Sequence, residues 1–432
     1  MQTNIQAGFA EVDWTPPAGL PVIGQMHERI ATHMRDPLYA CAAALRSTET
    51  TVVLVTVDVC GVTNEFATAI QAAWAQRTGL APGTLLIHAT HTHVAPAPAA
   101  IEAEFQSAVL DAAARALENL EDVELFASTG YLEHMGWNRR AMFEDGSTRM
   151  YGHSKMPGFI GMEGPRDGAL PLIWARNARG EVAGVIVSFS THPNTLESEC
   201  FYSADIPGAV RKYLKRALGE KTGVLYLTGA AGNTAPSQLD PVDLEQRWRG
   251  ERGLERSGQY VAGEALKLIA AGDEPMSNPV LRLQHHALEI PLREWPQPDE
   301  PSYPRPDASW RDAAARYDHA REQWAHYLET MSPLPVNVNV LRIGDAAICT
   351  NPAELFVEFG LDIRNNSPAR VTMISELTDG CCYYVPTAKA FSRGGYETWC
   401  AISSPLVHEA GNLIVDKTLA LLKNAFAEEE HR

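Results

Sequence analysis

Hydrophobic positions along this chain alternate between short β-branched runs and longer stretches with helical spacing. Four nearly continuous apolar runs have the pattern of strands that are buried on both faces. They lie at 51–61, 84–91, 181–193 and 222–233. Stretches with helical periodicity lie at 64–79, 103–120, 205–219 and 406–426. Because strand and helix alternate, the sequence predicts an α/β fold with a mixed, partly parallel sheet core and flanking helices.

The remaining segments complete this outline. The chain opens with a predicted strand that ends at Pro16 and Pro17, and 336–360 again has a strand–turn–helix pattern. The segment 293–335 differs, because it is rich in proline and then becomes a polar helix, which is typical of a surface insertion. We find no internal repeat. We therefore predict one domain over 1–432 that contains 293–335 as a surface insertion.

The amino-acid composition limits the classes of molecule that this protein is expected to bind. Among 432 residues, 53 are acidic and 36 are basic, and the net charge of −17 argues against nucleic acid or an anionic membrane surface. The seven cysteines form no CxxC motif, as expected for reduced thiols. No segment has the pattern of a signal peptide or membrane helix. We expect a cytoplasmic protein that acts on a small molecule without stable membrane association; homo-oligomerisation stays open.

Three histidines cluster at the end of one predicted strand, in "HATHTHVAP". In a strand, residues i and i+2 point to the same side, so His91 and His93 can face one centre while His88 faces away from His91. Two imidazoles at a strand end form half of a zinc site. Histidines that bond only to each other and to the backbone produce the same pattern, so the pair alone leaves both interpretations open.

Other candidate ligands follow further predicted strands. His192 comes directly after a buried strand, and ligands in α/β folds collect at the carboxyl ends of strands. Glu354 follows a turn and begins a predicted helix, where it can ligate a metal or simply interact with the helix dipole. Tyr384 and Tyr396 lie in a loop-like segment, where tyrosines commonly serve packing or an interface. We expect a zinc site at the carboxyl ends of the strands.

Nine segments resemble, in the same order, the catalytic domain of the neutral, non-lysosomal ceramidases. They are "GFAEVDWTPP", "RDPLYA", "VTVDVCG", "ATHTHVAPAP", "WNRR", "THPNTLE", "GAAGNTAP", "NPAELF" and "YYVPT…GGYE". They span most of the chain, from about residue 7 to about residue 415, apart from 293–335. The histidine motifs and the final tyrosine pair are specific in combination. Those ceramidases are zinc amidases that cleave the amide bond of N-acylsphingosine.

The resemblance implies a role for seven residues. Four are implied to bind Zn²⁺, namely His91, His192, Glu354 and Tyr384. Three are implied to be catalytic, namely His93, Tyr396 and Arg139. His93 is the implied general base and then acid, Tyr396 faces the reacting carbonyl, and Arg139 lines the active site beside Arg140. Asp58 and Asp205 are also candidates for orienting a ligand histidine, although for Asp205 we favour a helix N-cap.

The chain departs from the family's pattern at one turn. The family's "GDVSP" reads "GNTAP" here, so Ala235 replaces a serine and Asn233 replaces an aspartate. Attack by a water molecule that zinc activates does not need that serine. We also recognise no counterpart of the family's C-terminal immunoglobulin-like domain or of its secretion or anchoring signal. We expect a zinc-dependent hydrolase of an amide (N-acyl) bond, acting on a small or moderately apolar compound rather than on membrane ceramide.

Three alternatives remain. A TIM-barrel amidohydrolase also carries HxH on its first strand, although the "NPAE" and "YVPT…YE" segments fit that fold poorly. The same fold and metal can serve cleavage of a lactone, another ester or a glycosidic link. A non-catalytic zinc-containing binding protein is the third, and the intact set of candidate ligands argues against it.

Overall fold

A computed structural model of the chain describes residues 5–25, 27–272, 274–276, 280–295 and 313–427. Its strands, in chain order, are β1 (Gln6–Asp13), β2 (Pro21–Val22), β3 (Arg29–Ile30), β4 (Tyr39–Arg46), β5 (Thr51–Val57), β6 (Leu85–Ala89), β7 (Glu121–Tyr131), β8 (Trp137–Asn138), β9 (Arg140–Phe143), β10 (Thr148–Met150), β11 (Phe159–Met162), β12 (Ala169–Asn177), β13 (Val182–Phe189), β14 (Gly223–Thr228), β15 (Thr234–Ala235), β16 (Leu281–Ile290), β17 (Leu334–Ile343), β18 (Ala346–Thr350), β19 (Ala353–Leu355), β20 (Val371–Ser375) and β21 (Tyr383–Val385). Its helices are α1 (Asn64–Thr78), α2 (Glu102–Glu118), α3 (Asp205–Leu218), α4 (Gly250–Ala271), α5 (Ala313–Met331), α6 (Val357–Asn365), α7 (Ala388–Arg393) and α8 (Ala410–Phe426).

Two mixed sheets form the centre of the molecule. The larger sheet has the order β14-β13-β12-β7-β1-β4-β5-β6, and the smaller has the order β16-β17-β18-β20. Three neighbouring pairs in these sheets run parallel, namely β5/β6, β13/β14 and β18/β20, and the other neighbours are antiparallel. The predicted mixed, partly parallel α/β fold is confirmed. The TIM-barrel alternative is wrong, because the described strands do not form a ring of parallel strands.

The larger sheet is buried on both faces. Along β5, Val53 and Val55 face a cluster formed with α1 and α2, whereas Val52 and Leu54 face a cluster shared with β17, β18 and β20 of the smaller sheet. Helices α3 and α4 cover the other half of the same outer face, and α6 and α8 cover the outer face of the smaller sheet. Both faces of β5 therefore pack against apolar side chains, as its continuous β-branched run predicted.

Helix ends follow local sequence signals. The side chain of Thr63 accepts a hydrogen bond from the N–H of Phe66, which caps the start of α1. Gly79 ends α1 in the left-handed conformation with φ 76°, as predicted. Predicted and observed helices agree within two residues for α1, α2 and α3, and α8 begins four residues later than predicted, at Ala410.

The segment 293–335 contains the predicted helix, which is α5. Trp324 is buried, and Tyr327 and Leu328 pack against the core beneath α8. Residues 296–312 of this segment lie outside the described residues. Within the described part of the chain, no helix has the length and apolar character needed to cross a membrane.

Candidate metal centre

The two central histidines follow a strand rather than belonging to it. Strand β6 ends at Ala89, and His91 has a left-handed backbone with φ 69°. The N–H groups of Thr90 and His91 donate to the carbonyls of Val57 and Val59. The expected strand alternation is therefore wrong, because a turn ends the extended geometry before His91. The side chains of His91 and His93 still converge, with 3.4 Å between their Nε2 atoms.

His88 is bound into the scaffold instead. Its Nδ1 donates to the carbonyl of Glu376 at 2.7 Å, and its Nε2 accepts the N–H of Thr228 at 3.0 Å. Burial lowers the pKa of His88 to about 3, so its imidazole is neutral. This histidine joins the carboxyl ends of β6 and β14 to the segment that follows β20.

His91, His192 and Glu354 form a compact group. The Nε2 atoms of His91 and His192 lie 3.0 Å apart. Oε2 of Glu354 lies 3.5 Å from Nε2 of His91 and 4.0 Å from Nε2 of His192. All three side chains are buried, and their candidate ligand atoms lie within 4.8 Å of one another. The chain thus gathers three metal-ligating groups, two from the segments that follow β6 and β13 and one from β19.

The hydrogen bonds that these side chains make elsewhere leave acceptor atoms facing one another, an arrangement that suits a cation. Nδ1 of His91 donates to the carbonyl of Cys60 at 2.6 Å, and Nδ1 of His192 donates to the carbonyl of Ala231 at 3.3 Å. A neutral imidazole carries one proton, so both Nε2 atoms present lone pairs. Oε2 of Glu354 is buried without a hydrogen-bond partner among the described residues. Three acceptors without a donor are unfavourable until a cation neutralises them, and this donor set suits Zn²⁺.

A second group of candidate ligands overlaps the first. Cys60, His91 and His93 also lie within the range of one ion. Nδ1 of His91 lies 3.6 Å from the Cys60 thiol, and that nitrogen donates to the Cys60 carbonyl. Because a protonated nitrogen cannot ligate, the group with His192 and Glu354 fits a metal better.

Glu354 lies in a strand, not at the start of a helix. It is the middle residue of β19, which pairs in parallel with β21 and places Tyr384 opposite Glu354. Helix α6 begins only at Val357, so the helix-dipole interpretation of Glu354 is wrong. A side chain at Gly232 would lie 2.4 Å from the carbonyl oxygen of Glu354, which explains the glycine at this close approach.

Tyr384 and Tyr396 lie side by side near this group. Tyr384 belongs to β21, which corrects its expected place in a loop, and Tyr396 begins a short 3₁₀ turn. Their ring centroids are 5.6 Å apart at 76°. Burial raises the pKa of both phenols, so the hydroxyl of Tyr396 stays protonated at neutral pH.

Arg139 is held in a fully buried network. It donates to the hydroxyl of Tyr384 at 3.0 Å, to the carbonyl of Gly232 at 2.9 Å and to Glu397 at 3.1 Å. Arg140 pairs with Glu397 at 2.7 Å and also with Glu163. Despite burial, the two arginines lower the pKa of Glu397. Of the two arginines, Arg139 lines the cavity in front of the candidate ligands.

The seven residues for which the resemblance implies a role all line one cavity of about 540 Å³. They are His91, His93, Arg139, His192, Glu354, Tyr384 and Tyr396. The structure therefore brings together side chains from six separate segments. A second cavity, of about 600 Å³, shares His91 and Glu354 with the first.

Sequence reasoning missed Glu376. Its Oε2 accepts the N–H of Ala231 and the N–H of Leu355, each at 3.0 Å. One carboxyl group thus joins the segment whose carbonyl holds His192 to the segment that carries Glu354. Burial raises the pKa of Glu376 well above its ordinary value. A group that acts through backbone hydrogen bonds leaves no pattern in the sequence.

The two aspartates do not orient a ligand histidine. Asp58 accepts from Arg211 at 2.7 Å and from Thr90 at 3.3 Å. Asp205 accepts the N–H of Ile206 at 2.7 Å, at the start of α3, and the N–H of Leu196 at 2.9 Å. The expected carboxylate partner is wrong, because backbone carbonyls hold both ligand imidazoles. The N-cap expected at Asp205 is also wrong, because Asp205 is the first residue of α3 and the N-cap is Ala204.

The departures from the family's turn have structural roles. Asn233 accepts the first N–H of α6, from Val357, at 2.8 Å and donates to Glu358 at 2.8 Å. Ala235 is fully buried in β15, opposite Trp137, and lines neither of the two cavities.

Comparison with known proteins identifies solved structures of the same fold. A ceramidase complexed with C2 superimposes with a TM-score of 0.74 at 16% identity, over 100% of this chain and 77% of that chain. The neutral ceramidase from Pseudomonas aeruginosa superimposes with a TM-score of 0.73 at 17% identity, over 100% of this chain and 76% of that chain. No family model and no curated protein matches the chain. The chain therefore has the fold of the neutral ceramidases, which confirms the resemblance seen in its sequence.

Proposed function

We propose that this chain is a zinc-dependent hydrolase that cleaves an amide (N-acyl) bond by attack of water. The observation that carries the proposal is the convergence of three buried acceptor atoms, from His91, His192 and Glu354, without a donor among them. Support also comes from the fold, because the solved structures that it matches are ceramidases.

The residues that would hold the ion are His91, His192 and Glu354, with Tyr384 as the fourth ligand. Tyr384 lies opposite Glu354 in the parallel pair β19/β21. A Zn²⁺ ion in such a site supplies a Lewis acid that polarises a carbonyl group and lowers the pKa of a water molecule toward 7. The carbonyls of Cys60 and Ala231 fix the rings of the two histidines in the required tautomer.

His93 is the proposed general base and acid. Its Nε2 lies 3.4 Å from Nε2 of His91, so it faces the same point as the ligand atoms. From there it can accept the proton of the attacking water and pass it to the leaving amine. A side chain at Gly24 would lie 2.5 Å from the ring of His93, so this glycine lets the backbone pack against the imidazole.

The developing oxyanion needs hydrogen-bond donors. Tyr396 lines the cavity beside Tyr384, and its phenol is protonated at neutral pH. Arg139 adds positive charge and positions the hydroxyl of Tyr384 through a 3.0 Å hydrogen bond. We assign Tyr396 to the oxyanion and Arg139 to the polar surroundings of the carbonyl.

The proposed substrate is a small or moderately apolar N-acyl compound rather than membrane ceramide. A cavity of about 540 Å³ lies in the ordinary range for small-molecule sites. An ester or lactone needs the same groups, so these compounds belong in the test.

Metal analysis and hydrolysis test the proposal together. Purified protein is expected to contain about one zinc ion per chain, and to hydrolyse members of a panel of N-acyl amides, esters and lactones in a chelator-sensitive manner. His91→Ala is expected to lose metal and activity while it stays folded by circular dichroism. The matched control is His134→Ala, since that histidine is exposed. Full metal content in His91→Ala, or chelator-resistant turnover, would contradict the proposal.

A further inference from the structure

We propose that two cavities divide the substrate at the metal centre: the apolar cavity binds the acyl group, and the polar cavity binds an amine that carries several hydroxyl groups. This inference rests on the proposed amide hydrolysis. Both cavities include His91 and Glu354 in their walls. A scissile amide bond that lies at these residues therefore has one cavity available for each half of the substrate.

The apolar cavity is suited to an acyl chain. Its volume is about 600 Å³, and its walls include Val62 and the α1 residues Phe66 and Ala69. Its walls also include Ala97 and Pro98, from the segment after His93. Aliphatic and aromatic side chains with few polar groups favour a hydrocarbon group over a hydrated one.

The direction of the substrate follows from His93. This residue lines the polar cavity and is not among the residues that line the apolar one. The leaving amine must lie next to the acid that protonates it. The amine half therefore extends into the polar cavity, and the acyl half extends into the apolar one.

The polar cavity contains an acceptor that the protein does not use. Asn194 is 1% exposed, and its Nδ2 donates to Tyr151 at 2.7 Å and to Glu197 at 3.0 Å. Because a carboxylate only accepts, this contact fixes which side-chain atom is the nitrogen. Oδ1 is then buried without a hydrogen-bond partner among the described residues. A substrate hydroxyl that donates to Oδ1 removes this deficit.

The next residue carries a second such group. The hydroxyl of Thr195 is buried without a partner in the described part of the chain, and Thr195 lines a further polar cavity of about 530 Å³. This cavity shares Tyr151, Glu197 and Ser198 with the first polar cavity, so the two adjoin. The polar region thus has room for a group of amino-sugar size rather than a single hydroxyl.

The carboxylate in this region does not select a cation. Glu197 already accepts from Gln25 at 3.0 Å, from Asn194 at 3.0 Å and from Arg249 at 2.7 Å. Its charge is balanced by the guanidinium of Arg249. The two buried, unpartnered atoms in this region, Oδ1 of Asn194 and the hydroxyl of Thr195, are neutral, which favours a polyhydroxylated amine over a polyamine.

Matched amides test the amine half. N-octanoyl glucamine and N-octanoyl hexylamine share one acyl group and differ in the polarity of the amine. The wild-type enzyme is expected to cleave the glucamine amide with a kcat/KM at least about tenfold higher. Asn194→Ala is expected to lose about tenfold on that amide and little on the hexylamide. Thr195→Val, which is isosteric and removes an unpartnered hydroxyl, is expected to act the same way more weakly.

A matched pair of helix variants tests the acyl half. Ala69→Trp places a bulky side chain in the wall of the apolar cavity, whereas Ala72, an equally exposed alanine of the same helix, is not among the residues that line it. Only Ala69→Trp is expected to reduce turnover of the octanoyl amide relative to the acetyl amide. A wild-type preference for the hexylamide, or equal losses on both amides in both polar variants, would overturn the division. Absence of turnover with every amide would instead contradict the proposed function itself.

Discussion

Nε2 of His91 lies 3.0 Å from Nε2 of His192, although 101 residues separate them along the chain. Each ring donates its proton to a backbone carbonyl through Nδ1, so the facing nitrogens both present lone pairs. Between two neutral rings such a contact is repulsive, and a metal ion or a proton between the nitrogens relieves it. This relationship underlies the predictions about the metal.

Replacing Glu354 separates metal binding from folding. Glu354→Gln introduces an amide N–H₂ that can donate to His91 or His192, whose Nε2 atoms lie 3.5 and 4.0 Å from Oε2. We expect the variant to lose zinc, and its metal-free form to unfold at the same or a higher temperature than metal-free wild type. Elemental analysis and thermal unfolding measure these effects. Glu118→Gln, at an exposed position, is the control; retained zinc would exclude Glu354 as a ligand.

Replacing Tyr396 or Tyr384 by phenylalanine is expected to have different effects on activity and on zinc binding. Tyr396→Phe removes a proposed oxyanion donor, so kcat should fall about 10²–10³-fold with unchanged metal content. Tyr384→Phe removes the proposed fourth ligand, so the affinity for zinc should fall as well. Tyr131→Phe, which is 56% exposed, is the matched control. A loss of metal in Tyr396→Phe would reverse the two assignments.

Glu376 is expected to act on the metal through the backbone. Its Oε2 accepts the N–H groups of Ala231 and Leu355, and the carbonyl oxygen of a glutamine can do the same. Glu376→Gln should therefore bind zinc nearly as well as wild type, whereas Glu376→Ala should lose about 10–100-fold in affinity. Competition with a chelator of known affinity measures this. Equal affinities in all three proteins would show that Glu376 does not position the ligands.

Asp379 is expected to make stability depend on pH. Burial raises its pKa from 3.8 to about 7, against hydrogen bonds from the N–H of Ile87 and from Asn339. The folded state therefore binds this proton more tightly than the unfolded state. Its stabilising contribution is complete below about pH 3.8 and is lost as the pH rises through about 7. The drop in unfolding temperature between pH 5 and pH 8 should be smaller in Asp379→Asn than in wild type.

We expect that the residue at position 235 does not take part in the reaction. The side chain at this position is buried and lines neither cavity at the candidate centre. Restoring the family's residue in Ala235→Ser should therefore leave kcat/KM for amides within about twofold, because a side chain that does not touch the substrate adds no contact to the transition state. A gain of tenfold or more would show that this turn takes part in the chemistry.

Local patterns in the sequence predicted many of the elements, and the resemblance to the neutral ceramidases indicated the composition of the candidate site. The β-branched run of β5 indicated burial on both faces, and Gly79 marked the end of α1, because both signals depend on neighbours along the chain. The motifs containing His91, His192, Glu354 and Tyr384 identified residues that all line one cavity.

Only the tertiary structure decided how these residues face one another. The left-handed turn at His91, the parallel pairing of Glu354 with Tyr384, and the two backbone hydrogen bonds of Glu376 depend on segments far apart in the chain. Periodicity reports which face of an element is buried, but it carries no information about which distant carbonyl accepts a proton from a histidine. For that physical reason the residue types were predictable, whereas the strand of Glu354, the carbonyl partners of the histidines and the two unequal cavities were not.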